Sequence, residues 1–99
     1  MTKLLEDNTG MIRAEIEIKS ISENLFTGII KQENFTQEQK LLFNEFEQTV
    51  NEHAFSLLDD IEAKIEGLGF KIKNEDASIY DLQVWSLNNL SYRVKEIEK

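Results

Sequence analysis

The chain has 99 residues, 40% apolar and 30% charged, with nineteen acids against eleven bases for a net charge of −8. Such a length suits one core, and the composition is that of an ordinary globular protein rather than a disordered one. The absence of cysteine excludes disulfides and thiolate chemistry, and the negative balance opposes docking on nucleic acid or anionic lipid.

Residues Met1 to Asp7 lack the apolar core of a signal peptide, and no stretch approaches a membrane span, so a cytoplasmic protein is expected. Asn8-Thr9-Gly10 is turn chemistry, which leaves residues 1–9 as a loosely ordered N-terminal arm on a single domain spanning 1–99. Ile12 to Lys19 then alternates apolar and charged residues without a fault, the pattern of a strand with one wet face. Leu25 to Lys31, β-branched and aromatic around Gly28, reads as a second strand returning through a turn at Ser22-Glu23-Asn24, with a short helix as the alternative.

From Thr36 to Gly69 the chain runs without proline at helical spacing. At about 100° per residue, Leu42, Phe43, Phe46, Val50, Ala54, Leu57, Leu58, Ile61, Ile65 and Leu68 share one stripe about 160° wide. Thr36 and Gln39 form a capping-box pattern at the start, and Gly67 and Gly69 offer left-handed backbone to close the end. One helix of that length would be long for a small domain, so it is expected either continuous or kinked. Three strands follow, at Phe70 to Asn74, Ile79 to Leu87 and Leu90 to Ile97, with Asn88-Asn89 as the last turn. The expected fold is a two-layer α+β domain of order ββαβββ, its long helix packed on an antiparallel sheet of about five strands.

The last hairpin has apolar residues on both faces. A three-residue loop that sets Trp85 opposite Arg93 and Val84 opposite Val94 gives the more consistent core face. In that register Ile79, Trp85, Leu87 and Ile97, with Arg93, form a patch away from the helix, suited to self-association as a homodimer or to a ligand. Plain core is the competing role for Trp85. Off the helix stripe, Phe55 falls among Asn44, Gln48, Glu62 and Glu66, with Leu41 on the same side. An aromatic anchor amid carboxylates suits a partner surface; packing on Leu25 to Lys31, or a break in the helix, would also explain it.

Charge is uneven, because residues 36–66 hold eight acids and two bases, whereas 67–99 hold five of each. Glu45, Glu52, Phe55, Asp59, Glu62 and Glu66 therefore mark a helix face for a basic protein partner, or a merely solvated face. Catalytic signals are thin. His53, the only histidine, lies at the edge of the apolar stripe, where a packed residue is commoner than a base or ligand. The pairs Asp59-Asp60 and Asp81 with Glu96 are coincidences that nineteen acids make cheap. Ser78, Ser86 and Ser91 have no nucleophile-elbow context, the glycines build no phosphate loop, and nothing has the ligand set of a metal or cofactor site.

The general form, small, acidic and without cysteine, resembles that of many bacterial toxin-neutralising and mobile-element-encoded proteins, and no motif singles out one family. The expected function is a non-enzymatic interaction protein that masks a basic partner, as an immunity protein or antitoxin does. The alternative is a small-molecule-binding or enzymatic domain with a pocket between helix and sheet, floored by His53, Tyr80, Trp85 and Tyr92.

Overall fold

The computed structural model describes residues 1–95. Apolar alternation in the first third builds three consecutive strands, β1 (Thr2–Glu6), β2 (Ile12–Ser22) and β3 (Leu25–Glu33). Ala14, Ile16 and Ile18 turn inward from β2, while Glu15 and Glu17 alternate with them on the other face. The return through Glu23-Asn24 is tight, with Ser22 opposite Leu25 and Glu23 at a φ of 58°. Gly28 is required where β3 crosses β2, because a Cβ there would lie 2.3 Å from the Glu17 carbonyl oxygen.

Residues 2–6 are not a loose arm. They form β1, whose Leu5 is fully buried and whose Lys3 also faces inward, near the Phe26 ring and ion-paired to Glu75. A strand that places a lysine beside a leucine on its inner face hides its alternation from a hydropathy reading.

The expected single helix is two, α1 (Gln37–Asn51) and α2 (Leu58–Glu66). The capping box at Thr36 and Gln39 forms as expected, with both reciprocal hydrogen bonds present. The ending of α1 is a Schellman arrangement: His53 N–H donates to the Val50 carbonyl and Ala54 N–H to the Thr49 carbonyl. His53 holds the left-handed position, at a φ of 58°, where glycine is usual. A single 3-10 turn, Phe55–Leu57, leads into α2. The stripe survives on both sides of the break, with Phe43, Phe46, Ile61 and Ile65 buried, but Leu57 is 55% exposed rather than in the core. Gly69, at a φ of 67°, follows α2 and turns the chain into the sheet; Gly67 keeps an ordinary helical φ of −63°.

Three more strands complete the chain's description, β4 (Lys71–Ile72), β5 (Ile79–Trp85) and β6 (Asn89–Val94). The result is a mixed α+β fold with one antiparallel six-stranded sheet in the order β4-β1-β2-β3-β6-β5. The sheet is curled, and chain length shows why. A flat sheet of this order would hold β4 and β5 about 24 Å apart, close to the full reach of about 25 Å of the connection between them. Glu75 N–H folds back onto the Ile72 carbonyl within that connection, so the edges must approach. One core results, joining the inner sheet face to Phe43, Phe46, Ile61 and Ile65 of the helices.

The final hairpin has a loop of three residues, placed earlier than expected. Val84 pairs with Leu90 and Trp85 with Asn89, leaving Ser86 to Asn88 as the turn. Glu47 of α1 fixes it by accepting from Ser86 N–H at 2.9 Å and from its hydroxyl at 3.0 Å. Trp85 accordingly lies edge-on to Phe46 of α1, with centroids 5.5 Å apart, rather than on a face away from the helices.

Candidate functional site

The expected sites separate once placed in the fold. Of the patch around Trp85, Ile79 and Leu87 pack against the core, and Arg93 is held by Asp81 at 3.5 Å and by Asn24 at 3.2 Å. Ile97, like Glu96, lies outside the described residues. His53, Tyr80, Trp85 and Tyr92 do not share a pocket floor. His53 is exposed in the helix break, Trp85 sits on Phe46, and Tyr92 is buried in the core stacked on Phe26 at 5.3 Å. Burial, followed by the charge of Glu75, pushes the Tyr92 hydroxyl well above its ordinary pKa. Its oxygen has no hydrogen-bond partner among the described residues.

Part of the acidic set adjoins exposed apolar groups, whereas Glu62 and Glu66 face β5. Phe55 and Leu57 stand 56% and 55% exposed in the break, and the Phe55 ring rests edge-on against His53 at 5.6 Å. Glu52 precedes them and Asp59 and Asp60 follow, all exposed. Both aspartates occupy the first turn of α2, where negative charge opposes the positive end of the helix dipole. The break explains why Phe55 departs from the stripe.

Ion pairing divides the molecule. Among the described residues the acids in ion pairs are Glu6, Asp7, Glu17, Glu33, Glu75 and Asp81, all on the strands or their connections. None of the eight acids between Thr36 and Glu66 is in such a pair. Lys40, one of two bases on that segment, reaches away to Glu33 at 3.5 Å. Glu62 registers the imbalance, since burial, then the charges of Asp81 and Asp59, push its carboxyl above the usual range.

Between α2 and β5 lies a cavity of about 250 Å³. Ile65, Phe70, Ile79 and Leu82 supply its apolar wall, while Glu62, Glu66, Asp81 and Lys95 bring charge. Glu62 and Glu66, four residues apart on α2, share one helix side facing it. Asp81 lies within a register shift of β5 against β6 and has a φ of 57°. Such backbone costs a non-glycine residue on the order of 1–3 kcal/mol, and bulges of this kind redirect side chains. Tyr80 is steadied by a 3.0 Å hydrogen bond from Asn24, and the Lys95 ammonium lies 5.8 Å from its ring centroid. A second hollow of about 350 Å³ lies between α1 and the β5–β6 turn, walled by Leu41, Phe43, Val84 and Leu87 with Lys40 and Glu47. Among the described residues no group of acids and histidine is arranged to hold a metal ion.

One polar centre escaped the sequence reading. Asp7, 2% exposed, accepts from Thr9 N–H at 3.0 Å, Thr9 Oγ1 at 2.5 Å, Arg13 Nε at 2.7 Å and Gln39 Nε2 at 3.0 Å. Burial pushes its carboxyl up, but these hydrogen bonds outweigh burial and hold it well below the usual carboxylate range. Gln39 thus caps α1 through its oxygen and ties it to the β1–β2 turn through its nitrogen. The local signal was the Asp-x-Thr spacing ahead of Gly10. With every oxygen of Asp7 engaged, this is a structural joint.

No protein-family model, curated protein or solved structure matches this chain.

Proposed function

We propose that the chain is a non-enzymatic interaction protein that binds and masks a basic protein partner through its helices, in the manner of an immunity protein or antitoxin. One observation carries this reading: Glu45, Glu52, Asp59, Glu62 and Glu66 have no ion-pair partner among the described residues, and Glu52 and Asp59 bracket exposed Phe55 and Leu57 along the chain. Carboxylates left unneutralised steer a cationic surface, and a rigid apolar anchor among them supplies affinity once the surfaces meet. Ile79, Trp85 and Leu87 pack partly buried against the core, and the partner in this reading is a different protein rather than a second copy. Of His53, Tyr80, Trp85 and Tyr92, only Tyr80 lines a cavity described above. No helix among the described residues is long and apolar enough to cross a membrane.

Capture of basic proteins from lysate on the immobilised chain tests the proposal. Capture should fall steeply from low to high salt and be lost on charge reversal, Asp59→Lys with Glu62→Lys. Phe55→Ala should weaken the same complex about tenfold. Capture indifferent to salt and to both reversals would sink the mechanism.

A further inference from the structure

We infer that the cavity between α2 and β5 is a socket for one arginine side chain of the basic partner, an inference that rests on the helix surface being a partner surface. Its volume of about 250 Å³ falls below the roughly 300 Å³ at which small-molecule pockets begin, and suits a single side chain. Ile65, Phe70, Ile79 and Leu82 offer an apolar wall along which a methylene stem packs. Three carboxylates, Glu62, Glu66 and Asp81, converge from two different elements. That arrangement favours a planar guanidinium with five donors over a compact ammonium. Among the described residues only Asp81 of the three has an ion pair, at 3.5 Å from Arg93. Lys95 already holds a cation at the cavity, over the Tyr80 ring, so the chain partly occupies the site that the partner's arginine fills.

The test is an NMR titration of the full chain with N-acetyl-arginine amide, run beside the lysine and citrulline analogues. The arginine probe should shift the backbone amides of Ile79, Tyr80, Leu82 and Gln83 saturably, more tightly than lysine, with citrulline silent. Glu62→Gln should weaken arginine binding about threefold. Lys95→Gln should tighten it by a similar factor, a gain that loss of structure would not produce. Glu62→Gln alters an exposed helix position and Lys95→Gln an exposed one beyond β6, so both variants should fold. Shifts spread over the helices without a focus on β5, an equal response to citrulline, or no response would overturn the socket.

The two proposals fail in different ways. Salt-sensitive capture combined with an unfocused arginine titration removes the socket and leaves the partner surface standing. Salt-insensitive capture removes both as a partner mechanism, whatever the small probe does.

Discussion

The sheet and the helices treat negative charge in opposite ways. On the sheet side, Asp7 is buried under four hydrogen bonds, and Glu17 is lowered by hydrogen bonding from Lys19 and by its charge. On the helices, the carboxylates lack ion-pair partners among the described residues, and Glu62 is raised by burial and by its acidic neighbours. The difference teaches that abundance of acid is not one property. A carboxylate whose acceptors are all engaged belongs to the fold, whereas one held near other carboxylates retains its interaction energy for an incoming cation.

The largest expected effect comes from cutting the satisfied acid. Asp7→Ala strands Arg13, Gln39 and the β1–β2 turn, and should lower unfolding free energy by about 3 kcal/mol in urea denaturation. A loss under about 1 kcal/mol would erase the distinction between the two regions. Acid gives the next largest effect. Because the folded pKa of Asp7 is depressed, its contribution is complete above about pH 4 and drains away as pH falls through the folded value. The urea midpoint should therefore drop from about pH 6 to about pH 3, and drop less in Asp7→Asn. Equal drops would assign acid lability elsewhere. The smallest effect has the opposite sign. A raised pKa means that Glu62 favours the fold most when protonated, and that this benefit is lost as pH rises through its folded value. Glu62→Gln should accordingly stabilise the chain at neutral pH by a few tenths of a kcal/mol, with the gain fading in salt.

Legibility in the sequence followed the same division. The faultless alternation of Ile12 to Lys19 became β2, and the Thr36–Gln39 capping box formed in full, because both are short-range patterns with one geometric solution. The break after Asn51 was hidden because a histidine takes the left-handed position and no glycine or proline marks it. Apolar residues also kept nearly one helical phase across it, so Leu57 counted as core until the chain turned there. The strand at Thr2–Glu6 was obscured by Lys3, whose inward place depends on Glu75, far along the chain. Of the candidate surface, the acidic residues and Phe55 were readable from charge and phase. The cavity was not, since it forms where α2 packs on the irregular part of β5, a contact between separate elements.

The strand order has a consequence for how the molecule assembles. β1, β2 and β3 are joined by short turns and can pair from local encounters, but β6 must find β3 across a gap of more than fifty residues, with both helices inside the loop. Closing that loop is the entropically demanding step, and contacts of such separation set the pace of folding. The acidic helices are thus the passenger segment of the slowest event, brought to their final posture only when the last hairpin docks.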